Sequence, residues 1–282
     1  MQRRSNRPRA TLTESKKVIG GEWRGSEIVN VTSYPVVVLV LSFIVLALSA
    51  RLGVFLGKQW RLPDGAVRDD FGIIQGATLT LLGLIIGFTF SMALNRYDQR
   101  KNYEEEEANA IGTEYARAGL LSPGDTAKVR PLLIAYLDQR IAFYEASVFD
   151  DLSKIDAQTA KLQAELWSVV QAPAVAQPTP IVALAVSGMN DVLNSQGYTQ
   201  AAWWNRIPVA AWGLMAMIAI CSNTLVGFGA REAQRESKLL LILPLVVAIA
   251  FFLIADIESP RGGTIRVHPQ NLLNLASSLR AP

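Results

Sequence analysis

Four consecutive acids, Glu104, Glu105, Glu106 and Glu107, are the residues of this 282-residue chain that most invite chemistry. Carboxylates hold a hard cation when several converge on one point. Neighbours on a helix fan out over most of its circumference, so four in a row cannot converge within one chain. The plain reading is a solvated acidic stretch. If copies of the helix form a ring, Glu104 and Glu107 become candidates for a charged vestibule, beside a girdle of Arg96, Arg100 and Lys101, and charged rings select ions by sign. Both signs lie close together here, and a net charge of +3 does not decide between them.

Other chemistry is thinly supported. The only histidine, His268, sits beside Pro269 in a polar tail, where a lone histidine is usually just solvated. The only cysteine, Cys221, lies in an apolar run and reads as a small hydrophobe rather than a nucleophile. One of each builds no disulfide framework and no cysteine-rich zinc site. Phosphate loops, dinucleotide fingerprints, nucleophile elbows and helical zinc-protease motifs are missing. No catalytic residue, metal, cofactor or nucleic-acid partner is expected, and the chain is not read as an enzyme.

A third pattern is quieter. Gly76, Thr80, Gly83, Gly87 and Ser91 recur at steps of three or four and share one helix face, with Gly83 and Gly87 forming a small-xxx-small pair. Thr80, Leu84 and Phe88, four apart, run beside it. Such a stripe either lets another helix approach closely or lines a narrow path, and spacing alone leaves both open. Gly53 and Gly57 form a second, weaker pair.

The elements that must carry these residues are apolar. Residues 31–50, 71–94, 207–230 and 239–255 hold no charged side chain. A bilayer core of about 30 Å takes roughly 20 apolar helical residues. The first three runs satisfy this directly, and the fourth does so if Lys238 snorkels and Ile257 joins it. Core helices of soluble proteins show a polar face every third or fourth residue, and these do not. Irregular backbone cannot face lipid, so Pro35, Pro208 and Pro244 belong near span ends or against neighbouring helices.

The expected fold class is therefore all-α: an integral membrane protein with four transmembrane helices in two pairs, 31–94 and 207–257. A helical-bundle insertion, 95–206, separates the pairs. A basic tail, 1–30, carries seven cations and is too long and charged for a usual secretory leader. A C-terminal tail, 258–282, follows the last span. Near the membrane ends, lysines and arginines number fourteen on the side of the tails and insertion and seven in the two hairpins, which puts tails and insertion in the cytoplasm. The sequon at Asn30 to Thr32 then falls on the inner side and carries no weight.

Nothing stops the second span after Leu94, so its helix should continue into the insertion, placing Ala108, Ile111, Tyr115 and Ala118 on a packing stripe. Ser122, Pro123 and Asp125 read as an N-cap, a first-turn proline and a capping-box acid. The helix they start carries Val129, Leu132, Leu133, Tyr136, Leu137, Phe143, Tyr144 and Val148 on one side, opposed by Lys128, Asp138 and Arg140. A further segment, 152–170, should bury Ile155, Leu162, Leu166 and Trp167. Pro173, Pro178 and Pro180 mark a break before an amphipathic run over 181–202. Trp203, Trp204 and Arg206 then stand where the third span enters the interface.

The stretch from Leu82 to Tyr97, with Glu107 to Gly112 and Ala255 to Val267, resembles the bacterial bestrophin-like family of membrane proteins; the likeness covers about residues 35 to 275. Bestrophins proper are pentameric ion channels with a hydrophobic neck on their second helix. Gly87 and Phe88, followed eight residues later by Arg96 and Tyr97, are similar to their pattern. The resemblance implies neck positions at Thr80, Leu84 and Phe88, two of which depart from the bulky apolar residues of animal members. It also implies a homo-oligomer, a pentamer, in a bacterial inner membrane, with the lipid bilayer and inorganic ions as partners. Of the acidic calcium clasp of animal members only Asp256 and Glu258 stand here, so calcium activation is not expected. The leading expectation is an ion channel or channel-related protein whose pore is lined by Thr80, Leu84, Gly87, Phe88 and Ser91. The alternative is a membrane-anchored scaffold or signalling protein whose insertion binds a cytoplasmic partner.

Overall fold

A computed structural model describes residues 33–60, 66–230 and 238–281. The basic tail, the sequon and the cations Arg61, Arg231 and Arg235 fall outside the described residues. Helix α1 (Pro35–Gln59) opens with its proline at the first helical position, where the missing N–H costs nothing. Helix α2 (Ala66–Ala118) follows, then α3 (Pro123–Glu145), α4 (Leu152–Ala176), α5 (Pro180–Trp204) and α6 (Val209–Gly229). A short 3-10 turn (Lys238–Leu241) leads into α7 (Ile242–Glu258), and α8 (Gln270–Arg280) ends the fold. No strand occurs among the described residues, and the fold is all-α.

Among the described residues four helical stretches are long and apolar enough to cross a membrane: α1, α2, the run of α5 and α6 over Pro180–Gly229, whose charge-free part is α6, and α7 with its preceding turn. Pro35 and Pro208 sit at helix starts and Pro244 in the first turn of α7, as backbone satisfaction in lipid requires. Helix α2 runs 53 residues without a break. At 1.5 Å per residue that is about 80 Å, so more than half of it projects beyond a 30 Å hydrocarbon core.

The close crossing in the membrane half is between α1 and α6. A Cβ at Gly53 would strike the Thr224 carbonyl oxygen, and one at Gly227 would strike that of Ala50, so each helix offers a glycine to the other's backbone. Leu46, Leu82, Met215, Ile218, Phe251 and Ile254 fill the space among α1, α2, α6 and α7.

The second core lies in the insertion, where the outer half of α2 packs with α3, α4, α5 and α8 around Ile111, Leu133, Tyr136, Leu166 and Met189. Its helix ends follow the sequence closely. Ser122 Oγ accepts from Asp125 N at 3.2 Å and donates to the Asp125 carboxylate at 2.6 Å. Asp151 caps α4 and Thr179 caps α5 through side-chain oxygens.

Four expectations change. Arg140, expected on the polar face of α3, is fully buried. Trp167, expected inside, is 38% exposed because Leu162, Leu166 and Val170 already complete the buried stripe of α4. Helix α4 continues past Pro173 to Ala176, so the proline sits inside the helix and costs it one backbone hydrogen bond without ending it; the break comes only at Gln177 to Thr179. Val148, expected on the stripe of α3, lies in the turn beyond it, because the helix ends at Glu145. In the C-terminal segment, Leu272 and Ala276 of α8 are buried against the bundle.

Candidate functional site

Helix α2 presents a face that nothing else among the described residues covers. Only 17% of its most apolar window is buried, the lowest share among the four spans. Thr80, Leu84, Gly87, Phe88 and Ser91 are all exposed, with Leu84 at 52% and Phe88 at 63%. A Cβ added at Gly72, Gly76, Gly83 or Gly87 would meet nothing within 4 Å. The Thr80 hydroxyl donates to the Gly76 carbonyl at 2.9 Å, so its polarity is satisfied within the helix. The small-residue stripe therefore has no packing partner among the described residues, whereas the weaker pair at Gly53 is the one used for a helix crossing.

Beyond Leu94 the outer half of α2 divides its charges by face. Asn95, Asp98, Asn102, Glu105, Glu106 and Asn109 continue the exposed face, with Lys101 at its edge. Arg96, Arg100, Glu104, Glu107 and Glu114 lie opposite, on the stripe that begins with Leu82, Thr89 and Ala93.

Here the structure corrects the expected vestibule. Arg96 Nη1 donates to Glu258 Oε2 at 3.2 Å, and the same oxygen accepts from Ile207 N at 2.8 Å, just ahead of α6. Arg100, 1% exposed, reaches the Ala202 and Ile257 carbonyls at the ends of α5 and α7. Glu104 accepts from Asn271 Nδ2 at 2.6 Å and Leu272 N at 3.0 Å, placing a carboxylate at the start of α8 where the helix dipole favours it. Glu107 pairs with the Arg140 guanidinium and accepts from the hydroxyls of Tyr144 and Thr199 at 3.3 and 3.1 Å. Arg100, Glu104 and Glu107 thus serve as internal ties, because the helix turns them toward α3, α5, α7 and α8. Of the five charged candidates only Lys101 is open to solvent.

Burial, then the Glu107 carboxylate, pushes the phenols of Tyr136 and Tyr144 far above their usual range. Asp256 accepts from Thr264 N, Thr264 Oγ1 and Ile265 N at 2.7, 2.9 and 2.8 Å. Asp256 is therefore occupied by protein donors through both oxygens, and Glu258 through Oε2, while Glu258 Oε1 is buried without a donor among the described residues.

A family model described as Bestrophin-like domain matches residues 44–272. The chain belongs to the bestrophin-like family. No curated protein matches the sequence closely enough to add a relative. Solved structures share the fold at low identity. A variant of a bacterial bestrophin homologue from Klebsiella pneumoniae superposes with a TM-score of 0.59 at 12% identity, over 86% of this chain and 97% of that one. Another structure of the Klebsiella homologue gives 0.55 at 14% identity, over 88% and 99%.

In this bestrophin-like chain the uncovered face reaches about four helical turns past the small-residue stripe, since it runs on through Asp98, Glu105 and Glu106. The sequence carries a signal for this. From Ala118 and Ile111, steps of three and four lead back through Glu107, Glu104, Arg100 and Arg96 to Ala93, so the charges on that line must turn inward with it. Glu114 stood out in no motif. It is fully buried, both its oxygens lack a donor, and Gly188 of α5 leaves the space its carboxylate fills. Burial pushes its carboxyl up to about 8, with Arg117 opposing and Asp191 adding to the rise.

Proposed function

We propose that the protein is a homo-oligomeric ion channel of a bacterial inner membrane, with both termini in the cytoplasm and copies of α2 surrounding the path. The observation that carries this reading is the α2 face. Thr80, Leu84, Gly87, Phe88 and Ser91 lie exposed on one side of a helix whose opposite side, at Leu82, Thr89 and Ala93, is buried against the rest of the described chain. A face with glycine gaps between Leu84 and Phe88 suits a narrow path closed by apolar rings, which gate by dewetting. A pentamer is the assembly that bestrophin membership favours.

The path passes cations on this reading. Arg96 and Arg100 are withdrawn into internal contacts, which leaves Asp98, Glu105 and Glu106 against Lys101 on the exposed face. Rings of acids favour cations.

Purified protein in liposomes or a planar bilayer should conduct, and Phe88→Ala should raise the open current severalfold by removing the largest side chain on the face. An assembled oligomer silent at every voltage and pH would overturn the channel reading, as would a monomeric mass in detergent.

A further inference from the structure

We propose that the cleft among the ends of α1, α5, α6 and α7 holds one membrane phospholipid, its phosphate among arginines and an acyl chain between α1 and α6. A cavity of about 280 Å³ opens where Ser33 precedes α1, Arg206 precedes α6 and Ser259 follows α7. Three membrane spans meet the insertion there, so the cavity lies at the depth of the lipid headgroups. Trp204 beside it is 72% exposed, as an indole at a bilayer interface would be.

Its walls carry more donors than acceptors. Arg206 spends one N–H on Ser33 Oγ at 3.0 Å. Arg261 gives Nη1 to the Phe143 and Ala146 carbonyls at 2.8 and 3.1 Å and lies over the Phe143 and Trp203 rings. Neither guanidinium forms an ion pair among the described residues, and the indole N–H of Trp203, another wall residue, is buried without an acceptor. Burial, with Arg140 and Arg206 adding to it against Asp156 and Asp150, lowers the Arg261 guanidinium to about 10. Donors in this state call for an oxyanion. One carboxylate, Asp156, also lines the cavity, which suits a singly charged phosphodiester better than a doubly charged monoester.

The adjoining surface distinguishes a lipid from free phosphate. An apolar groove of about 350 Å³ begins at Val38 and Val209, five residues after Ser33 and three after Arg206, and runs between α1 and α6 past Ser42 and Trp212. A polar cavity and an apolar groove thus lie within about two helical turns of each other along α1 and α6, an order that matches headgroup and chain. Basic pockets between spans are known places for acidic headgroups. Lipid binding here needs only the membrane spans and stands whether or not the protein conducts.

Native mass spectrometry of the full-length protein, titrated with dioleoyl phosphatidylglycerol, dioleoyl phosphatidylethanolamine and dioleoylglycerol, tests it. Phospholipid should remain on the protein at least tenfold more than the phosphate-free dioleoylglycerol. Arg206→Gln should lose that preference, and Ser42→Phe, which fills the groove and leaves both arginines, should weaken retention about tenfold. Equal retention of dioleoylglycerol, or unchanged retention in both variants, overturns the proposal. Inorganic phosphate that displaces the lipid at millimolar concentration, or raises the melting temperature as much as the phospholipid does, overturns the lipid assignment in favour of a free anion.

Discussion

Glu114 is the side chain whose ionisation state matters most to folding. An unfolded glutamate titrates near 4.3 and this one near 8, so the native state keeps a proton that the unfolded chain has released. The stability it contributes is complete below about pH 4 and falls away as pH rises through 8. Glu114→Gln cannot ionise. Its melting temperature should match the parent's near pH 4 and exceed it by a widening margin up to pH 8, as the difference in unfolding free energy grows with a limiting slope of about 1.4 kcal/mol per pH unit. A gap that does not vary with pH would show that the carboxyl titrates normally. The Glu107 and Arg140 pair behaves differently, because both charges are buried and matched. Glu107→Ala strands the guanidinium and should cost about 3–5 kcal/mol in denaturant unfolding, whereas Glu107→Leu with Arg140→Met should recover most of that loss. In the sequence these three charges look no different from solvated ones. Nothing in Glu107 or Arg140 taken alone marks it as interior; only their register with Ala93, Ile111 and Leu133 does.

Helices record their neighbours less openly than their ends. The Ser122 cap, the Pro123 that opens α3, and the unbroken course of α2 were legible because each depends on residues within a turn or two. Spacing ranks the glycine pairs in the wrong order for packing within the chain. A small-xxx-small pair states that something can come close without saying what, and Gly53 meets α6 while Gly83 and Gly87 meet nothing. Gly53→Leu should therefore destabilise the protomer by about 1–3 kcal/mol or more, since backbone cannot yield to the new side chain. Gly87→Ala should change protomer stability by less than about 1 kcal/mol, in line with helix propensity, and show itself in current or assembly. Comparable destabilisation by both would mean that the stripe on α2 is packed after all.

For the molecule as a whole, spans and insertion were readable from charge-free runs, since bilayer thickness imposes a length that few other constraints mimic. The electrostatics of the outer half of α2 were legible only through helical register with Ala93 and Ile111, because residue type alone gives equal prominence to charges that the fold treats oppositely. With Arg96, Arg100, Glu104 and Glu107 turned inward, the balance rests on Asp98, Lys101, Glu105 and Glu106. Glu105→Lys with Glu106→Lys should move the reversal potential under a salt gradient from the cation toward the anion limit. An unchanged reversal potential would place the selective ring elsewhere.

The uninterrupted length of α2 has a mechanical side. Glu104, tied to the start of α8, lies sixteen residues or about 24 Å along the rod from Phe88. A helix without proline, bulge or break resists bending, so a push at one end arrives at the other as a tilt. Each degree of tilt pivoted at Glu104 displaces Phe88 sideways by about 0.4 Å, given the 1.5 Å rise per residue. Around a ring of such levers, a few degrees would carry the apolar constriction from shut to wide enough for water, with no change of conformation in α2 itself.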